Sequence, residues 1–217
     1  MFNSSIASFI SLQGLSQMEI ERNSLHPKFI ELFTGTFGLT EEEFTSLISG
    51  FRVQEVSKKE LYLRAGEISN AKAYINRGCA RNYIVDEKGH ERIVSFAFED
   101  WWLADFESYY SGKPGSTYVQ MLEDSELLII SKEKFQKLEE EIPKLRQWYT
   151  VKITRHASAL ARGIEELRTL TPEERYLNML RDQPMVLQRV PLHYVAAFLN
   201  IEPQSLSRMR SRLTTKR

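Results

Sequence analysis

The residues best suited to specific chemistry lie near the C-terminus, in the segment LHYVAAFLNIEPQSLSRMRSRL from Leu192 to Leu213. Six polar side chains recur there at the spacing of one exposed helix face: Gln204, Ser205, Ser207, Arg208, Ser211 and Arg212. Arginine bridges O6 and N7 of guanine, and glutamine bridges N6 and N7 of adenine. Serine hydroxyls and backbone N–H groups hold phosphate oxygens. These residue types therefore predict contacts with the base edges and backbone of double-stranded DNA.

Such a face needs two short helices joined by a tight turn, and the same segment has the residues that this motif requires. Ala196 is small enough for the point where the helices cross. Asn200 tolerates the left-handed turn between them, and Pro203 suits the first turn of the second helix. The apolar residues between the helices are Val195, Leu199, Ile201, Leu206 and Met209. The segment is predicted to be a helix-turn-helix.

Charge is divided unequally along the chain, although the net charge is zero. Residues 1–143 contain 15 Lys and Arg against 23 Asp and Glu, whereas residues 144–217 contain 14 against 6. A basic C-terminal part favours nucleic-acid binding, and Arg210, Lys216 and Arg217 would add attraction that is independent of sequence. A chance split of solvated faces is the alternative.

Two other interpretations of the C-terminal segment stay open. It would also fit a small helical bundle with a basic face, or a sensor or protein-interaction module whose helix-turn-helix no longer binds DNA. An enzyme is not expected, because the chain has no phosphate loop, no nucleophile elbow and no cluster of metal-ligating residues. No metal site and no cofactor is expected either.

The 217 residues include a single cysteine, Cys79, which excludes an intrachain disulfide and a cysteine zinc or iron–sulfur site. The histidines His26, His90, His156 and His193 show no ligand spacing. No segment has the apolar length of a membrane span, and the first residues lack the features of an export signal. A cytoplasmic protein is expected, with residues 1–25 as a flexible or helical N-terminal extension.

The middle of the chain changes from helical to β character and back. Thr40 to Glu43 predicts a capping box, and Asp86 to Gly89 predicts a hairpin turn. Short β-prone runs from about Arg52 to Ile130 predict a roll or sandwich of antiparallel strands. Ser131 and Pro143 each fit the start of a helix, and Thr171-Pro172-Glu173-Glu174 fits another. The fold class is therefore α+β.

The helix after Pro143 contains two series of residues spaced by seven. One comprises Ile153, Leu160 and Leu167, and the other comprises Tyr149, His156, Gly163 and Leu170. Such a seam packs a helix against a copy of itself, which favours a homodimer. Packing against the helix's own domain is the alternative, because His156 and Gly163 make the seam imperfect.

From about His26 to Leu213 the chain resembles the Crp/Fnr regulators, particularly the forms without a cyclic-nucleotide signature common in Bacteroidetes. The most specific piece is TPEERYLNMLRDQPMVLQRVPLHYVAAFLNIEPQSLSRMR. The resemblance implies a jelly-roll-like sensor domain (26–141), a long dimerisation helix (142–170) and a DNA-binding domain (171–217). It also implies that Gln204 and Arg208 read bases. Pro203 stands where some members carry a base-reading arginine, and the chain leaves no room for a hairpin wing after the recognition helix.

The resemblance also locates the cassette that binds a cyclic nucleotide in the family, here DWWLADFESYYSGKPGSTYVQ from Asp100 to Gln120. Ala104-Asp105 stands in place of Gly-Glu, and Gly115-Ser116 stands in place of the phosphate-binding Arg-Ser. Without that arginine a buried phosphate loses a charge-assisted bond, and Lys113 is a poor replacement. We therefore expect weak or no cyclic AMP binding. A vestigial pocket and a different small effector, held by Asp105, Ser116 and Thr117, both remain open. RNA polymerase is a further candidate partner.

Overall fold

The computed structural model describes residues 20–215, without the side chains of 153, 155, 156, 159, 160, 214 and 215. It begins with a short 3-10 helix, Arg22–Ser24, followed by α1, Pro27–Ile30, which continues as a π-helix, Glu31–Thr36. Helix α2, Glu41–Ser49, opens with the predicted capping box: Thr40 Oγ1 accepts from Glu43 N, and the Glu43 carboxylate accepts from Thr40 N. The expected extension of residues 1–25 lies largely outside the described residues.

Eight strands then form two four-stranded antiparallel sheets, which confirms the predicted β region. In one sheet the strand order is β1-β8-β3-β6, and in the other it is β2-β7-β4-β5. The strands are β1 Arg52–Val56, β2 Leu61–Leu63, β3 Ala71–Arg77, β4 Ala80–Val85, β5 Glu91–Ala97, β6 Trp102–Leu103, β7 Tyr118–Met121 and β8 Ser125–Ser131. Strands β4 and β5 form the predicted hairpin, in which Gly89 has a positive φ of 82°. Helix α3, Phe106–Ser111, interrupts the strands between β6 and β7 and was not predicted.

The two sheets enclose an apolar core, and each also has an outer face. Side chains alternate along β4: Ala80 joins the interior, whereas Arg81 and Tyr83 belong to the other face and pair with Gln120 and Tyr118 of β7. This alternation follows from the two-residue period of a strand. The sheet that contains β4 and β5 thus has an outward surface that another element can cover.

The other sheet is covered by helices. Helix α4, Lys132–Glu141, is capped by Ser131, and Pro143 begins α5, Pro143–Thr169, as predicted. Trp148 of α5 is fully buried among aromatic residues of the N-terminal helices and of the sheet. Its ring centroid lies 5.2 Å from that of Phe33 and 5.0 Å from that of Trp102. The first turns of the long helix are therefore part of the core beside the roll.

Four helices complete the described chain: α6 Pro172–Asp182, α7 Pro184–Arg189, α8 Leu192–Phe198 and α9 Pro203–Thr215. The cap predicted at Thr171 is present, since its hydroxyl accepts from Glu174 N and the Glu174 carboxylate accepts from Thr171 N. Helix α7 was not predicted, because it spans only six residues. Within the described residues, no helix is long and apolar enough to span a membrane.

Candidate nucleic-acid interface and ligand cassette

Helices α8 and α9 pack as the sequence pattern requires. Asn200 has a φ of +57°, the left-handed conformation that the turn needs. Ala196 is fully buried where the two helices approach each other. The predicted apolar residues Val195, Leu199, Leu206 and Met209 are also buried, and Ile201 packs against the same cluster. The second helix begins at Pro203 and continues three residues beyond Arg212, the end expected from sequence.

The predicted polar residues lie on the opposite side of α9. Exposed side chains among them are Gln204, Ser207, Arg208, Ser211 and Arg212, and Ser205 is half-buried. Arg208 Nη2 lies 3.5 Å from Ser205 Oγ, at the limit of a hydrogen bond. Arg212 Nη2 lies 3.2 Å from Glu173 Oε2, a solvent-exposed pair that breaks at little cost. The predicted site residues thus share one helix face, and neither Gln204 nor Arg208 packs inward.

The first helix of the pair is fastened to α6. Arg175 Nη2 donates a hydrogen bond of 2.7 Å to the carbonyl of Leu199, the last residue before the turn. A cation at the C-terminal end of α8 also interacts favourably with the helix dipole. This contact holds the turn against α6 and so supports the position of α9.

A second group of predicted residues meets at the start of α3. Asp105 caps this helix, because its Oδ1 accepts from Ser108 N at 2.9 Å. Its Oδ2 accepts from Ser116 N at 3.2 Å and from Thr117 N at 3.1 Å. Asp105, Ser116 and Thr117 therefore lie together, whereas their role in holding an effector stays a prediction. Their arrangement differs from an open pocket, since the buried carboxylate of Asp105 already occupies these backbone donors.

The environment of Asp105 favours its charged form. Burial tends to raise its pKa, but the hydrogen bonds from Ser108, Thr117 and Ser116 outweigh this effect and lower the pKa below the usual aspartate value. Gly115 approaches so closely that a side chain there would overlap the carboxylate. The cassette is thus closed around its own anion, and exposed Lys113 contributes its backbone carbonyl as an acceptor for Ser108 Oγ.

Trp101 and Trp102 lie near the start of the same segment, Asp100 to Gln120. Trp102 packs against Phe51, Tyr74 and Trp148, with ring centroids 5.0–6.0 Å apart, and so belongs to the core. Trp101 is exposed. Neither position indicates an aromatic wall around a ligand.

The described part of the chain offers no group of three metal-ligating side chains. Cys79 is buried, and burial raises the pKa of its thiol to about 12. A thiol in that state is a weak nucleophile and a weak metal ligand. An open cleft of about 380 Å³ lies between the β4–β5 hairpin and the turn of the helix-turn-helix, lined by Glu91, Arg92, His193, Ala197 and residues 200–203.

Sequence reasoning missed a set of contacts between the roll and the C-terminal helices. Arg189, at the end of α7, forms ion pairs with Glu99 and Glu123, which lie in two different loops of the roll. Arg81 of β4 lies 4.1 Å from the ring centroid of Tyr194 in α8. These partners are separated by 66 to 113 positions in the sequence, so no local sequence pattern predicts the contacts between them.

Comparisons with known proteins agree with this geometry. Residues 53–141 match the family described as the cyclic nucleotide-binding domain. The c-di-GMP responsive global regulator CLP of Xanthomonas campestris is 14% identical, with a TM-score of 0.66 over 82% of this chain and 93% of its own. FixK2 of Bradyrhizobium japonicum is 14% identical, with a TM-score of 0.67 over 76% and 85% of the two chains.

The catabolite activator protein of Thermus thermophilus is 18% identical, with a TM-score of 0.54 over 82% of this chain and 85% of its own. No curated protein sequence matches the chain. At these identities the solved structures establish a shared fold: an α+β chain with a jelly-roll-like cyclic nucleotide-binding domain.

Proposed function

We propose that this chain is a Crp/Fnr-type transcription regulator, of the form common in Bacteroidetes, that binds specific DNA sequences as a homodimer in the cytoplasm. The observation that carries the proposal is the exposed polar face of α9. This face lies over the buried core of the helix-turn-helix, in a chain whose residues 53–141 match the cyclic nucleotide-binding domain. We expect no catalytic activity.

The recognition helix divides its contacts between bases and backbone. Arg208 and Gln204 lie one turn apart on the exposed face, where each can reach a base edge in the major groove. We expect Ser205, Ser207 and Ser211 to contact phosphate oxygens, and Arg212 can leave Glu173 to join them. Pro203 contributes no polar group at the start of the helix, so the preferred sequence should differ from that of members with arginine there.

The long helix supports the homodimer. Ile164 and Leu167 of α5 are large apolar side chains that lie one turn apart, and each is more than half exposed. An exposed apolar pair on one helix face favours a partner surface. The seam residues Ile153, His156 and Leu160 lie outside the described side chains, so the seam itself stays a prediction. Two recognition helices related by a two-fold axis would read half-sites about 34 Å apart.

The effector is proposed to be absent or to differ from cyclic AMP. A cyclic phosphate in the cassette would need a cationic partner, and no arginine lies between Asp100 and Gln120. The buried carboxylate of Asp105 also occupies the backbone donors of Ser116 and Thr117 and would repel an incoming anion. Contacts with RNA polymerase and with another small effector stay open predictions.

Genomic footprinting in the native cell would identify the operator, and gel-shift titration of operator and scrambled duplexes would measure discrimination. We expect the operator to bind at least a thousandfold more tightly at physiological salt. Equal affinities would refute sequence-specific binding and favour the sensor or interaction module. In a parallel thermal-shift assay, a ligand at 100 times its Kd stabilises by about 2.7 kcal/mol, and cyclic AMP should produce no such shift.

A further inference from the structure

The helix-turn-helix unit is joined to the roll by a shared apolar core. The outer face of the roll contributes Cys79, Phe96, Phe98 and Leu122 to the same buried cluster as the residues between α6 and α9. The ring centroids of Phe96 in β5 and Phe198 in α8 are 5.5 Å apart. Large apolar interfaces between domains restrict their relative motion. Apolar contacts alone, however, tolerate sliding, because they have little directional preference.

Arg189 forms directional contacts that fix the orientation of α7 relative to the roll. Its Nη1 lies 2.7 Å from Glu99 Oε2, and its Nη2 lies 2.8 Å from Glu99 Oε1, a bidentate pair. Nη2 also pairs with Glu123. The side chains of Arg189 and Glu99 are about four-fifths buried, so water screens the pair only in part. A planar fork holds a carboxylate in one orientation, which a single point contact does not.

We call Arg189 with Glu99 and Glu123 the clamp. The two glutamates, which belong to the roll, are themselves fixed in position. Glu99 Oε1 accepts a hydrogen bond of 2.9 Å from the backbone N–H of Gly78, which lies between β3 and β4. Glu123 lies in the turn between β7 and β8. Arg189 therefore joins α7 to two separate loops of the roll, and separation of α7 from the roll would break both ion pairs.

A second arginine, which belongs to the roll, contacts the C-terminal helices from the other side of the interface. Arg81 of the roll lies between the rings of Tyr83 and Tyr194, 4.2 Å and 4.1 Å from their centroids. It is almost fully buried, and its Nε donates to Gln120 Oε1 at 2.8 Å. Two attachment points, one on α7 and one on α8, prevent the rotation that one point would permit.

The polar face of α9 remains exposed while these contacts are in place. The proposed DNA surface is thus accessible without separation of the helix-turn-helix from the roll. Because α5 joins each roll to the proposed dimer interface, the contacts with the roll also determine how far apart the two recognition helices stand.

We propose that Arg189 is a positioning residue that sets the half-site spacing this protein accepts, by fixing the helix-turn-helix to its own roll. This inference rests on the proposed function. Half-sites on one face of B-DNA recur about every 10–10.5 base pairs, so a rigid dimer rejects a spacing altered by one or two base pairs. A preorganised arrangement binds its matching site at lower entropic cost. If the helix-turn-helix could move relative to the roll, this advantage would be lost.

The test compares the native protein with Arg189→Gln on duplexes that carry two half-sites at the native spacing, at spacings changed by one or two base pairs, and a single half-site. Arg77→Gln is the matched control, because Arg77 lies exposed on the roll and pairs with exposed Glu55. We expect native and control proteins to lose at least tenfold in affinity at altered spacings. Arg189→Gln should lose less than threefold, with unchanged half-site affinity.

A second variant tests the same proposal in case Arg189→Gln does not fold. In Cys79→Ala/Glu99→Cys/Arg189→Cys, a short bismaleimide would replace the ion pair with a covalent link, and the linked protein should regain the native spacing preference. A spacing profile of Arg189→Gln equal to the native one would overturn the inference alone. Loss of all DNA binding in the linked protein would overturn it as well, because the docked arrangement would then be inhibitory. Failure of the native protein to distinguish an operator from a scrambled duplex would refute the proposed function instead.

Discussion

Gly115 lies against the carboxylate of Asp105, so closely that a Cβ at position 115 would overlap Oδ2. That oxygen accepts hydrogen bonds from the two residues that follow the glycine, Ser116 and Thr117. The loop after α3 therefore folds around a buried anion that the chain supplies itself. An arginine in this loop would pair with the phosphate of a bound ligand. Here the Asp105 carboxylate supplies the negative charge, so the loop does not need a phosphate to occupy its backbone donors.

Gly115→Ala should destabilise the protein by about 1–3 kcal/mol, because it would force Asp105 away from its donors and leave buried polar groups unpaired. Chemical denaturation measures the change in the free energy of unfolding. Gly35→Ala is the control, since an added Cβ there meets only an ordinary contact 3.7 Å away. Equal stability of the two variants would show that the overlap is relieved by a small shift.

Arg208→Ala should fold normally and lose about 1–3 kcal/mol of discrimination between operator and scrambled DNA, because its side chain is exposed and its contact with Ser205 is at the limit of a hydrogen bond. Gel-shift titration measures both affinities. Arg64→Ala, on the exposed surface of the roll, removes the same charge at a distance and should leave discrimination unchanged. A uniform loss on both duplexes would instead assign Arg208 to the phosphate backbone.

Acid should weaken the clamp at Glu99. Burial tends to raise the pKa of this carboxyl, but hydrogen bonds from Arg189 and from the Gly78 N–H outweigh burial and lower it from the ordinary 4.5 to about 2. The unfolded chain therefore binds the proton first as the pH falls. The clamp's contribution is complete above about pH 5 and is lost toward pH 2.

Unfolding free energies of native protein and Glu99→Gln, measured from pH 7 to pH 3, should accordingly converge as the pH falls. Glu133→Gln, on the exposed face of α4, is the control for loss of one negative charge. A stability gap between native protein and Glu99→Gln that stays constant down to pH 3 would contradict the assignment.

Lys72 of β3 is buried with its ammonium 4.6, 4.0 and 3.8 Å from the ring centroids of Tyr109, Phe135 and Tyr149. Burial lowers its pKa to about 7, with Glu139 opposing and Lys132 adding to the shift. Above about pH 7 the unfolded chain therefore binds a proton that the folded chain has released, and stability should rise with pH.

Lys72→Met should remove this rise, since the variant has no group to titrate there. Denaturation midpoints between pH 6 and pH 9 measure the effect, and Lys137→Met on exposed α4 is the control. Parallel pH profiles of native protein and Lys72→Met would show that the three rings hold the ammonium charged throughout, through their attraction for the cation.

Several local features could be read from sequence because their causes are local. The capping boxes at Thr40 and Thr171 need only residues three positions apart, and both are present. Asn200 takes the left-handed conformation because the turn demands it and few other residues accept it. Helices α3 and α7 escaped prediction because each spans six residues, too few to display a helical period.

The sequence by itself determined the order of roll, long helix and helix-turn-helix, because side-chain periodicity and capping depend on neighbours along the chain. It also determined which side chains face outward from α9, since burial of Leu206 and Met209 places Gln204 and Arg208 on the opposite side. Only the tertiary structure decided that Asp105 fills the cassette and that Arg189 joins α7 to Glu99 and Glu123. Those contacts depend on how distant segments meet in space, and that meeting is set by the shape of the whole core.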